Sequence, residues 1–416
     1  MRHVEVIVIG AGNRGYEAYG KIILKRPDIK AVAVAEPNDV KRERFAKEHN
    51  IPPERQFKTW EEVFEREKFA DGVIITTMDR MHVKPAIAAI KKGYNILLEK
   101  PIGVNLEEIK ELYKVAKENK ANITVAHVLR YTMFFQKLKE LLDKKEIGDL
   151  IGINLVENIG FFHFAHSFVR GNWRNSETSA PSILAKSCHD LDILTFLTGE
   201  KSQTLSSFGE LRYFKKENAP EGAKERCLDC NIDCPYDAKR IYLGDYTGWP
   251  VSVISEDLSL EGRLKALREG PYGRCVYYSD NNVVDHQIVS IKFKNNVYAS
   301  FIMTAFTNKI TRKIYLYGTH GEIYGDLDEN KIHIQKFGKG EELINLSLPF
   351  KDLVGHAGGD EGIMEEFVKV LKGEKEETLS NIEESIESHL MAFASEEARL
   401  NNKVINMDEM REKFYS

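Results

Sequence analysis

The chain has 416 residues, too many for one hydrophobic core, so two domains are expected. Its 59 basic and 64 acidic residues are well mixed and leave a net charge of −5, which excludes a strongly basic nucleic-acid surface. No apolar run approaches membrane-spanning length and the first residues already alternate like a strand, so a cytoplasmic protein with no membrane partner is expected.

"VEVIVIGAGNRGYEAYGKIIL" reads as strand, tight glycine turn and helix. Gly10, Gly12 and Gly15 form G-x-G-x-x-G, a turn that lets backbone approach a pyrophosphate and packs helix on strand. The helix start offers unpaired N–H groups to phosphate. A second apolar strand, "IKAVAVAEP", ends at Glu36, where a carboxylate can accept from both ribose hydroxyls. The alternative is a solvated strand end. Glu36 would repel a 2′-phosphate, which favours NAD over NADP, although Lys41 and Arg42 stand nearby.

The alternation continues through strand "DGVIITT", helix "HVKPAIAAIKKG", strand "YNILLE", helix "NLEEIKELYKVAKENK" and strand "NITVAHV". Such a pattern implies a parallel sheet, with ligands beyond the carboxyl ends of its strands. Glu99 and Lys100 lie at one of those ends. Charged groups at the mouth of a core strand need a partner, and a cofactor crevice supplies one. The other reading is a surface salt bridge capping the strand.

Through G-A-G-N-R-G, Glu36 and "TTMDRMHVKPAIAAIKKGYNILLEKP", the chain resembles the Gfo/Idh/MocA oxidoreductases, named after glucose–fructose oxidoreductase and inositol dehydrogenase. The match runs on through "HVLRY" and "SCHDLDILTFLTG" and covers most of the chain. The resemblance implies an α/β fold class: a Rossmann domain over residues 1–125 and a C-terminal α+β domain over 126–416, on an open, mostly antiparallel sheet. It implies a cofactor site from Gly10, Ala11, Gly12, Asn13, Arg14, Gly15, Glu36, Thr76, Thr77, His82, Glu99 and Lys100. Lys100 would polarise the substrate oxygen and His189 would act as acid/base. Glu99 would help hold the nicotinamide ribose, and the Lys100–Pro101 peptide would be cis. His127, Arg130 and Tyr131 would face substrate.

Two departures stand out. Asp79 replaces the family's Asn, and Ala185 occupies the position of an Asp four residues before the histidine. Lys186 beside it offers a second cation for a carboxylate or polyol, or else is a solvated side chain. Asp190 and Asp192 are expected to point elsewhere, Asp192 in a structural role.

From Ile151 the pattern turns to period-two strands, in "DLIGINLVENIGFFHF", "VSIKFKNNVYASFIMTAF" and "KIYLYGTHGEIYGDLDENKIHIQKF", with hairpin signals at Asn295-Asn296 and Asp328–Asn330. "HFAHSFVRGNWRN" gathers His163, His166, Arg170, Trp173 and Arg174, groups suited to the hydroxyls and apolar face of a polyol. His356 sits in a loop before helices expected over 360–400.

The polar stretch 214–275 reads as an insertion. Cys227, Cys230, Cys234 and Cys275 form C-x2-C-x3-C plus a distant fourth, consistent with a structural zinc site or with unbound thiols or a disulfide. Cys188 reads as small packing. The expected activity is NAD(P)-dependent hydride transfer at a hydroxyl of a sugar, cyclitol or sugar acid, in a homo-oligomer of the kind this family forms. Two alternatives are a redox-cycling glycoside-processing enzyme with bound NAD, and a non-catalytic dinucleotide sensor.

Overall fold

The computed structural model describes residues 3–346 and 356–416. Six parallel strands form the first sheet: β1 Val4–Ile9, β2 Ile29–Ala35, β3 Gln56–Phe57, β4 Gly72–Ile75, β5 Asn95–Leu98 and β6 Ile123–Val125, in the order β3-β2-β1-β4-β5-β6. β1, at the point where the strand order reverses, carries the glycine turn. Strands buried on both faces explain the near-continuous apolar runs of β1 and β2. The two-residue edge strand β3 is too short to show periodicity and was not foreseen.

The helix Gly359–Lys372 returns from the far end of the chain to cover this sheet. Its Ile363, Met364, Phe367, Val368 and Leu371 pack against Val4, Val6, Tyr19, Ile74 and Leu97. Its apolar residues recur at helical spacing, which places them on one face. The start of this helix therefore stands beside the glycine turn.

Nine strands form the second sheet: β7 Leu150–Asn158, β8 Ser202–Glu210, β9 His286–Phe293, β10 Tyr298–Thr304, β11 Thr311–Gly318, β12 Gly321–Asp326, β13 Lys331–Lys336, β14 Glu341–Asn345 and β15 Ile405–Asn406. Their order is β14-β13-β12-β11-β7-β10-β9-β8-β15, antiparallel except for β7 against β10. The β9–β10 and β12–β13 hairpins turn at Asn296 and Asn330, both at positive φ. The helices Cys188–Thr198 and Ile382–Asn401 cover the inner face.

The period-two reading runs too far at the end of β7. That strand stops at Asn158, Gly160 turns the chain at φ +84°, and Phe161–Arg170 is helical, finishing in the π-type turns Ala165–Arg170. No helix among the described residues is long and apolar enough to cross a membrane. The side chain of His356 lies outside the described residues.

Candidate active site

The glycine turn is built by close packing. Gly10 has φ +92°, and a Cβ there would lie 2.7 Å from the Thr76 carbonyl oxygen. A Cβ on Gly15 would overlap the Gly10 carbonyl oxygen. At Gly12, by contrast, a Cβ would meet nothing within 4 Å, which leaves open space on the side where a pyrophosphate is expected. Thr76 Oγ1 donates to Gly10 O at 2.6 Å and fixes the turn to β4. Glu36 is buried at the end of β2, accepting from Ala11 N–H at 2.8 Å and Asn38 N–H at 3.0 Å. A carboxylate has about four acceptor positions, so capacity for ribose hydroxyls remains. These residues fit a dinucleotide.

Behind the turn lies a charged cluster. Arg14 Nε donates to Glu99 Oε1 at 2.6 Å, and its Nη groups hold both carboxylate oxygens of Asp360 at 2.6 and 3.1 Å. Tyr19 OH donates to Glu99 Oε1 at 2.9 Å, and Lys100 N–H to Glu99 Oε2 at 3.1 Å. Burial alone would raise the Glu99 carboxyl, but the Arg14 and Lys100 cations more than offset it and hold it below its ordinary value. Glu99 is thus bonded into the base of the turn. Asn13 opens the helical segment above it.

The loops beyond β4 and β5 are tied together. Each ring nitrogen of His82 faces a backbone carbonyl, Pro101 O at 2.6 Å and Thr77 O at 3.0 Å, while Thr77 Oγ1 donates to Met81 O. The Lys100–Pro101 peptide is cis. Lys100 Nζ donates to Ala185 O at 2.6 Å, the carbonyl of the very position that lacks its acid. His189 follows at the start of the helix Cys188–Thr198, buried, with its ring edge-on to His127 at 5.8 Å. Lys100 thus reaches the backbone four residues before His189.

Lys186 is not a solvated side chain. Its Nζ lies 2.9 Å from Glu157 Oε1. Arg312 bridges Glu157 at 3.0 Å and Asp190 at 2.7 Å. Burial pulls the Lys186 ammonium below its ordinary range despite Glu157, and burial pushes the Asp190 carboxyl up despite Arg312. His163 joins this side, its protonation opposed by burial and by Lys186, with its ring edge-on to Trp249 at 4.8 Å.

Other expected substrate residues are engaged elsewhere. Arg130 forms a buried bidentate pair with Asp192 at 2.7 and 2.9 Å, and Tyr131 OH bonds Ser380 Oγ. His127 is fully buried between His189 and His389. His166 bonds Tyr242 OH and stacks on Tyr272, both in the insertion. Arg170 is completely buried and donates to Arg274 O and Tyr236 O. Trp173 Nε1 donates to Asp79 Oδ2 at 2.8 Å, and Arg174 pairs with Asp280. For the buried His127, Arg130, His166 and Arg170, burial commits polar groups to partners within the protein. The four insertion cysteines gather round one small cavity, although among the described residues no group of three or more metal-ligating side chains stands ready to hold an ion.

Tyr19, Glu157, Arg312 and Asp360 were not foreseen as site residues. Glu157 and Arg312 did leave a signal. Each sits in a run of alternating core residues, Ile153-Leu155-Glu157 and Arg312-Ile314-Leu316, and the two are opposed across β7 and β11.

Two family profiles match this chain: the NAD-binding Rossmann fold of the oxidoreductase family over residues 4–127, and that family's C-terminal alpha/beta domain over 139–407. The chain belongs to the Gfo/Idh/MocA oxidoreductase family. Among relatives of this oxidoreductase, Bacillus subtilis (strain 168) YteT, described as an oxidoreductase, is 21% identical over 390 residues, 87% of each chain. The scyllo-inositol 2-dehydrogenase (NAD(+)) of the same organism is 28% identical over 216 residues, 51% of this chain and 59% of that enzyme. The crystal structure of an oxidoreductase from Agrobacterium radiobacter in complex with NAD+, L-tartaric acid and magnesium superposes with a TM-score of 0.71 at 14% identity, covering 98% of this chain and 99% of that one.

Proposed function

We propose that this oxidoreductase transfers hydride between NAD and a secondary hydroxyl of a sugar, cyclitol or sugar acid. The observation that carries this reading is the bond from Lys100, at the carboxyl edge of the sheet that holds the glycine turn, to the Ala185 carbonyl four residues before His189. Dehydrogenation of an alcohol needs a cation where alkoxide develops and a base for the hydroxyl proton. An ammonium has three donors. The Ala185 carbonyl takes one from Lys100 and fixes its direction, which leaves donor capacity for the substrate oxygen. His189 receives the hydroxyl proton.

NAD, when bound, supplies the hydride acceptor. Gly12 and the start of the helical segment would receive the pyrophosphate, and Glu36 the ribose, so NAD is preferred to NADP. The B. subtilis inositol enzyme supports a cyclitol or sugar substrate. Lys186, already paired with Glu157, adds no separate support for a carboxylated substrate. The test is a panel of sugars, cyclitols and their acids with NAD or NADP, followed at the nicotinamide absorbance. Turnover of none of these classes by protein that binds NAD would reject the substrate assignment.

A further inference from the structure

Hydride chemistry does not use the insertion's cysteines. Cys227, Cys230, Cys234 and Cys275 line one small cavity, with Arg170 and Lys224. Specific backbone contacts bring them there. An antiparallel bridge pairs Arg226 with Arg274, and the Cys275 N–H donates to Glu225 O at 2.8 Å, so two distant segments set Cys227 and Cys275 side by side. The Cys227 thiol donates to Arg274 O at 3.8 Å, the carbonyl just before Cys275.

Arg170 is a second, independent sign. It is completely buried, and its Nη2 reaches Cys227 Sγ at 3.5 Å. Its other hydrogen bonds go to the Arg274 and Tyr236 carbonyl oxygens, and the Tyr242 hydroxyl stands beside it. A buried guanidinium calls for negative charge beside it. Four neutral thiols do not provide it. Four thiolates around one divalent cation do, with a net charge of −2 facing Arg170 and Lys224. The insertion's own apolar cluster is small, Cys227, Ala238, Tyr242, Val251 and Leu267, while Phe214, Tyr236 and Cys275 join the main core.

We propose that Cys227, Cys230, Cys234 and Cys275 bind one zinc ion as a closed tetrathiolate site that fastens the insertion, with Arg170 as the charge-balancing partner. The sulfurs do not yet surround a common point, so binding draws them inward and releases four thiol protons to solvent. Zinc follows from the all-sulfur, tetrahedral donor set. With four protein ligands the ion has no open position, so its role is structural. Arg170 ends the helical segment that carries His163 and His166, which joins the cluster to the substrate side of the cleft.

Elemental analysis of the full-length protein, purified under reducing conditions without added metal, should find about one zinc per chain. The double variant Cys234→Ser/Cys275→Ser should lose it. Wild-type protein stripped of metal should take up one Co2+ with thiolate-to-cobalt charge-transfer absorption, a readout that stands even if the variant fails to fold. Native protein without metal that also takes up no cobalt would overturn the proposal. So would iron with acid-labile sulfide in place of zinc, or zinc retained by the double variant.

Discussion

Arg14→Met removes the one cation shared by two buried carboxylates while keeping the apolar stem. Asp360 is completely buried and Glu99 nearly so, whereas the Arg14 side chain is 26% exposed. Breaking a fully buried pair costs about 3–5 kcal/mol. Partial solvation of Arg14 reduces that, so about 2–4 kcal/mol is expected. The unfolding entropy of a 416-residue chain is roughly 0.9 kcal/mol per kelvin at about 2.1 cal/mol/K per residue. Cooperative melting should then fall by about 2–5 °C at pH 7.

The loss should depend on pH in one direction. In the wild type the Glu99 carboxyl is held below its ordinary value, so its contribution is present above about pH 4.3, the unfolded value, and fades as pH falls through the folded one. Without Arg14, burial and Asp360 favour protonated Glu99 against Lys100 alone, so the variant gains stability relative to the wild type on acidification. The gap between the melting temperatures should therefore narrow from pH 7 to pH 4, and Arg14→Lys should lie between the two proteins. Differential scanning fluorimetry over a pH series measures this. A shift below 1 °C at pH 7, or a gap that widens in acid, would refute the cluster as a structural support of the turn.

Lys100→Met should leave NAD affinity nearly intact and lower kcat by about a hundredfold or more, the scale of losing a preorganised charge at developing alkoxide; steady-state kinetics beside NAD titration check it. His189→Ala should also lower kcat and remove an ionisation from the pH–rate profile, with an effect that does not add to that of Lys100→Met because both act on one oxygen. Glu36→Ser should narrow or reverse the preference for NAD over NADP by about 1–3 kcal/mol, and equal wild-type affinities for the two would contradict the ribose assignment. Phe208, Ile288 and Tyr298 are exposed on the outer face of the second sheet, so light scattering should find an oligomer that Ile288→Lys shifts toward monomer.

The glycine turn was legible because its demands are local. Positive φ at Gly10 and the contact of Gly15 with the Gly10 carbonyl exclude side chains, and the sequence records that directly. The position of Lys100 at the carboxyl edge was legible because a charge at the mouth of an apolar strand stands out. Arg130 was not: its partner Asp192 is distant in sequence, and the resemblance assigned it to substrate without showing which carboxylate would meet it. His166 and Arg170 misled for a related reason. Composition showed polar groups close together, but their helical backbone turns both toward the insertion. Asp360 was hidden because the helix that carries it joins the first sheet from the far end of the chain.

That return of the chain bears on how the site works. Asp360 grips Arg14 under the glycine turn, and His389 on the helix Ile382–Asn401 accepts from Ile102 N–H at 2.9 Å, two residues beyond Lys100. Trp173 reaches Asp79 in the loop after β4, and Ala185 holds Lys100. Every loop at the carboxyl edge of β1, β4 and β5 is therefore bonded to a residue from beyond the first sheet. The last of these bonds differs in kind from a carboxylate contact. A carbonyl does not titrate, so this acceptor holds Lys100 without an ionisation of its own, where an aspartate at position 185 would add one. With Ala185 in this position, residues 185–189 carry no carboxylate to meet Lys100, and the nearby charges of Glu157, Lys186, Asp190 and Arg312 pair with one another.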